Sequence, residues 1–112
     1  MKHSDEIILK KIVDEIVFVE ENIMDINKEN FIKDSVLQHA ISMAIINVGE
    51  LVKHVSEDVK HEYDNIPWKK AAGLRDVTAH GYGTLNMESV YETAVRDLPE
   101  LKRMIFVIKN NG

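Results

Sequence analysis

An all-α fold follows from three properties of the 112-residue sequence. Only two prolines and five glycines interrupt it, its valine- and isoleucine-rich stretches carry charges at helical rather than alternating spacing, and apolar residues recur every three to four positions. A first helix starts near Ser4 or Asp5 as N-cap and aligns Leu9, Ile12, Val13, Ile16, Val19 and Ile23, with Glu6 and Lys10 as an i, i+4 pair, and ends before Asn30. A second begins near Asp34 or Ser35 and repeats Leu37, Ala40, Ile41, Ala44, Ile45, Val48, Leu51, Val52 and Val55 over about five turns. Pro67, suited to a first helical position, opens a third helix that runs to around His80, where Gly81 and Gly83 mark a turn. Asn86 then caps a last helix whose seam includes Met87, Val90, Tyr91, Ala94, Val95, Leu98, Leu101, Met104, Ile105 and Ile108. Pro99 kinks it near Leu98, because the ring clashes with the carbonyl of Val95. Four main helices with short connections bury these stripes as an antiparallel bundle, and residues 1–112 form a single domain.

Composition narrows the function classes. Lys+Arg 14 against Asp+Glu 19 gives a formal charge of −5, which speaks against a broad duplex-binding surface, so any nucleic-acid contact is local. The absence of cysteine removes disulfides, thiolate zinc sites and cysteine nucleophiles. No apolar run approaches the roughly 18 residues of a membrane span, and the charged start MKHSDEIILKK does not read as a secretory signal, so the cytoplasm is the expected compartment. No GxSxG turn, GxxxxGK[ST] loop or GxGxxG fingerprint is present.

Chemistry concentrates between Arg75 and Tyr82, where an arginine, a carboxylate, an imidazole and a phenol share eight positions. On a continuous helix Asp76 and His80 are i, i+4 neighbours, so the carboxylate orients the imidazole, while Arg75 lies roughly 140° away and holds an anion. The plainer alternative makes Arg75 and Asp76 surface ion pairs, His80 a helix-end cap and Tyr82 a packed ring. Lys69 and Lys70 add local positive charge suited to a nucleic-acid backbone. Gly73, costly inside a helix by about 1 kcal/mol relative to alanine, suggests close approach by another backbone, as at a dimer interface or beside a neighbouring helix. Glu50, His54, Glu57, Asp58 and His61 share a face if the second helix continues, a spacing that can bind zinc or iron, but the interleaved Lys53 and Lys60 favour a solvated face. His3 and His39 have no partner visible in the sequence.

Arg75-Asp76-Val77-Thr78-Ala79-His80-Gly81-Tyr82 resembles the R-x4-H-x-Y signature of the HEPN superfamily, in its HepT-like toxin branch. Val48-Gly49-Glu50 resembles the branch's I-G-E, Ile66-Pro67-Trp68 its I-P-W, Ala72-Gly73-Leu74-Arg75-Asp76 its A-G-x-R-[ND], and Asp97-Leu98-Pro99-Glu100-Leu101 its D-L-P-x-L. Asp76 departs from the branch's commoner asparagine. The resemblance implies a helical homodimer in which two R-x4-H motifs meet in one cleft. It also implies a metal-independent endoribonuclease with no cofactor, acting on RNA by attack of the 2′-OH on the neighbouring phosphorus. Arg75 and His80 are then the catalytic pair. A minimal nucleotidyltransferase antitoxin is the implied partner, silencing the toxin by attaching AMP to Tyr82 and so placing a phosphate beside Arg75. The rival function is a non-catalytic HEPN module that binds nucleotide or RNA for that partner; a helical adaptor and a metal-dependent enzyme are further alternatives.

Overall fold

A computed structural model describes residues 1–111, with side chains described through residue 108. Its elements are α1 (His3–Ile23), α2 (Lys28–Ile32), α3 (Ser35–Lys53), α4 (Glu57–Glu62), α5 (Trp68–Ala72), a 3-10 turn (Gly73–Asp76), α6 (Thr84–Glu92), a π-helical turn (Thr93–Asp97) and α7 (Leu98–Asn111). Among the described residues there is no strand, in keeping with the all-α expectation. The first two stripes fold as their spacing requires: Leu9, Ile12, Ile16 and Val19 of α1 are buried with Ile41, Ile45, Val48 and Val52 of α3, and these two helices pack along each other. Met87, Val90, Ala94, Leu98, Leu101, Ile105 and Ile108 close the core, with α7 against α1. Val95, assigned to that seam, is instead exposed. Among the described residues α3 alone has the length and mean hydropathy of a membrane span, and its packing on α1 accounts for that apolar character.

Local boundaries differ where side chains serve distant partners. Asp34 caps α3 as expected, accepting from the Leu37 amide at 2.9 Å. Helix α1, however, starts from Lys2 without a side-chain cap, because the buried Asp5 carboxylate accepts from the Ser56 amide (2.9 Å) and hydroxyl (2.8 Å). One carboxylate thus fastens the start of α1 to the start of α4. Lys10 pairs with Asp14 at 3.0 Å rather than with Glu6, whose carboxylate faces His3. Buried Gln38 donates to the Phe31 and Ile32 carbonyls (2.9 and 2.8 Å), supplying partners to the end of α2.

Pro99 disturbs the last helix as its missing N–H requires. The helix widens into the π-helical turn just before it, at Thr93–Asp97, the local adjustment that keeps the Val95 carbonyl clear of the ring. The last helix also begins earlier than Asn86: Gly83 is its N-cap, and the Met87 amide already donates to the Gly83 carbonyl at 2.9 Å.

Candidate active site

The segment carrying the predicted site is held between α3 and α6. Its entry is fixed by buried Trp68, whose indole N–H donates to the Tyr63 carbonyl at 3.0 Å and sets the short α5 against the body. Helix α5 ends at Ala72, not around His80. A 3-10 turn follows, and then successive i to i+3 hydrogen bonds from Val77 to Leu74 (3.0 Å), Ala79 to Asp76 (2.9 Å) and Gly81 to Thr78 (2.8 Å).

This change of helical type overturns the expected Asp76–His80 pair. With about three residues per turn instead of 3.6, positions i and i+4 lie roughly 120° apart and no longer stack. The Asp76 carboxylate turns to Arg75, 3.8 Å from its Nε, and among the described residues no hydrogen bond or ion pair joins Asp76 to His80. His80 is exposed and does not serve as the cap of a helix.

Arg75 is positioned through its backbone. A Cβ built on Gly49 of α3 would lie 2.3 Å from the Arg75 nitrogen and 3.0 Å from its Cα, so only glycine lets the 3-10 turn rest on α3. Among the described glycines the close approach within the chain falls at Gly49; at Gly73 an added Cβ meets nothing within 4 Å, which leaves that face open. From this seat the half-exposed guanidinium faces two carboxylates, with Glu50 Oε1 3.7 Å from Nη1 and Asp76 Oδ1 3.8 Å from Nε. These separations are ion pairs without hydrogen-bond contact, leaving the fork's donors free for an anion's oxygens.

Gly81, at φ +80°, makes the left-handed turn expected of it. Asn86, expected as a cap, instead reaches back from the first turn of α6, its amide nitrogen donating to the carbonyls of Val77 (3.1 Å) and Gly81 (2.6 Å). Tyr82 then lays its ring on His39 of α3, with centroids 4.1 Å apart and planes 9° from parallel. His39 Nδ1 is 2.7 Å from the Ser35 carbonyl, so that nitrogen carries the proton and the ring is fixed from behind. The tyrosine remains 41% exposed.

His39 and Glu50 are eleven residues apart on α3, about 16 Å of helical rise and nearly one face. Tyr82 and Arg75 are seated near those two levels. Lys69 and Lys70 are exposed on α5, immediately before this segment.

The second sequence constellation comes apart. Helix α3 ends at Lys53, His54 is its C-cap, and α4 starts anew at Glu57, so Glu50, His54, Glu57, Asp58 and His61 do not share a helix face. Glu50 faces Lys53 as well as Arg75, Glu57 faces Lys60, and among the described residues no three such groups are placed to hold a metal ion. Gly49, Glu50, Asn86 and His39 are the positioning residues that residue spacing alone did not reveal. The one signal for them was the short Val48-Gly49-Glu50 match; Asn86 and His39 act across long gaps in the chain.

Comparisons with known proteins bear on the same segment. A family model described as ribonuclease HepT-like matches residues 12–108. "Putative RNase TTE0752" of Caldanaerobacter subterraneus subsp. tengcongensis is 33% identical over 97 residues, which cover 87% of each chain. "Probable ribonuclease HepT" of Thermococcus cleftensis is 32% identical over 102 residues, 91% of this chain and 93% of that one. "Gamma-glutamylcyclotransferase and putative RNase MJ0434" of Methanocaldococcus jannaschii is 30% identical over 108 residues, 96% of this chain but 49% of that longer protein. No solved structure gives a significant match.

Proposed function

Because this chain belongs to the HepT-like ribonuclease family of the HEPN superfamily, we propose that it is a metal-independent endoribonuclease whose site is completed by a second copy of the chain. The observation that carries this reading is the presentation of Arg75 and His80. Both are exposed on one short segment clamped to α3, Arg75 with unused donors and His80 without a hydrogen-bond partner among the described residues. This segment of a single chain offers one imidazole, whereas cleavage by an internal nucleophile needs a base and an acid.

Two copies supply both. One His80 takes the proton of a ribose 2′-OH as that oxygen attacks the adjacent phosphorus; the other gives a proton to the departing 5′-oxygen, leaving a cyclic phosphate and a free 5′-OH. The two Arg75 forks stabilise the charge gathering on the phosphate oxygens. Lys69 and Lys70 contact the RNA backbone nearby, and the open face at Gly73 accommodates the second copy. The acidic total is compatible with this, since a local arginine and histidine cleft focuses positive potential while the remaining surface stays negative.

In the same reading the protein is a toxin of the cytoplasm held in check by a nucleotidyltransferase that attaches AMP to Tyr82. The exposure of that ring on its His39 support favours such access. The attached nucleotide silences by placing its phosphate beside Arg75 and blocking the cleft to RNA.

Purified protein incubated with RNA in EDTA tests the activity. Wild type is expected to cleave, with His80→Ala and Arg75→Ala each slower by on the order of a hundredfold or more. Equal cleavage by all three would identify a contaminating nuclease, and RNA binding without cleavage by wild type would favour the non-catalytic module.

A further inference from the structure

Asn86 stands outside the family motif, eleven residues beyond Arg75, yet it makes both side-chain hydrogen bonds to the loop that carries His80. Its two acceptors are main-chain carbonyls, which fixes the amide with its NH2 toward the loop and assigns one hydrogen to each. Val77 and Gly81 bracket the three residues ending in His80, so the amide closes a ring around the turn that holds the imidazole.

The identity of the first acceptor matters most. In a continued α-helix the Val77 carbonyl would receive the Gly81 amide. Here that amide goes to the Thr78 carbonyl at 2.8 Å, and the vacated Val77 oxygen is taken by Asn86 at 3.1 Å. The side chain thus competes directly with helix formation and stabilises the alternative in which Asp76 and His80 diverge. Gly81 completes the geometry, since its left-handed φ of +80° is readily available to glycine and turns its carbonyl into reach at 2.6 Å.

We propose that Asn86 is a positioning residue for the reaction: it holds segment 77–81 in a non-helical turn, keeping the His80 imidazole away from Asp76 and available to the substrate. The proposal rests on the assignment of His80 to catalysis, but the loop geometry it invokes is measurable without any activity.

Asn86→Asp keeps the size and removes both donors, and Asn86→Ala removes the group altogether. Both substitutions leave the buried seam of α6 intact, so both proteins fold. Backbone NMR of each variant is expected to show Cα shifts of residues 77–81 moving toward helical values, with slower exchange of the Ala79 to Gly81 amides than a free loop allows. In the RNA assay kcat is expected to fall on the order of ten- to a hundredfold with KM within about twofold, the signature of a misplaced group. Unchanged shifts at 77–81 in both variants overturn the proposal, as does wild-type kcat in either. If His80→Ala cleaves like wild type while the shifts do move, the catalytic assignment fails and the role of Asn86 in shaping the loop stands.

Discussion

Gly49 places Arg75 without touching its side chain. The backbone of the 3-10 turn lies against the glycine so closely that any Cβ must push the turn away. Such a shift against a packed helix resembles overpacking, which costs about 1–3 kcal/mol. Gly49→Ala is therefore expected to lower Tm by on the order of 5–15 °C, measured by thermal unfolding, and to reduce RNA cleavage beyond what the lost folded fraction explains. A variant with wild-type Tm and rate would show that the turn does not depend on this contact. The sequence made the chemistry at this scale legible but not its supports. Arg75, His80 and Tyr82 stand out because few residue types do their work. Asn86 did not, because asparagine serves equally as a helix cap or a loop bridge, and only the fold selects between them.

At the level of elements, long helices were readable because burial of one face imposes a period, and α1 and α3 keep theirs for five turns or more. The segment after Pro67 lacked that advantage. Its apparent continuity to His80 came from an absence of breakers, whereas its true course is set by Gly49 from α3 and Asn86 from α6, contacts no local pattern encodes. The short α2 is fastened by tertiary groups as well: the Tyr91 hydroxyl donates to the Ile26 carbonyl just before it at 2.6 Å, and Lys28 bridges to Glu92 of α6 at 2.7 Å. The hydrogen bond from Lys28 holds the Glu92 carboxyl below its usual range. A depressed carboxylate contributes stability above its unfolded pKa of about 4.3, and that contribution is lost as pH falls through the lower folded value. The Tm difference between wild type and Glu92→Gln is accordingly expected to be present at pH 7 and to close below about pH 4. A gap that widens in acid would contradict the bridge.

Across the whole molecule, apolar surface remains uncovered beside the candidate site. Val36 and Met43 on α3 and Leu85 on α6 are exposed with Tyr82. A site completed by a second copy makes a prediction that geometry within one chain cannot. When differently tagged wild-type and doubly substituted Arg75→Ala/His80→Ala chains are co-expressed and the mixed dimer is isolated through both tags, its shared cleft retains one guanidinium and one imidazole. With no second imidazole to act as the acid, it is expected to cleave RNA at far below half the wild-type rate; a rate near half that of wild type would refute a shared site. Net charge was the least informative property at this scale, since a sum over 112 residues says nothing of the few that gather around Arg75.

The seat beneath Arg75 also has a genetic meaning. Every single-base change of a glycine codon that yields another amino acid adds at least a Cβ, and at position 49 each such change lands on the Arg75 backbone. If activity is harmful to its host, spontaneous survivors should accumulate at codon 49 as readily as at codons 75 and 80, though glycine there takes no part in the chemistry.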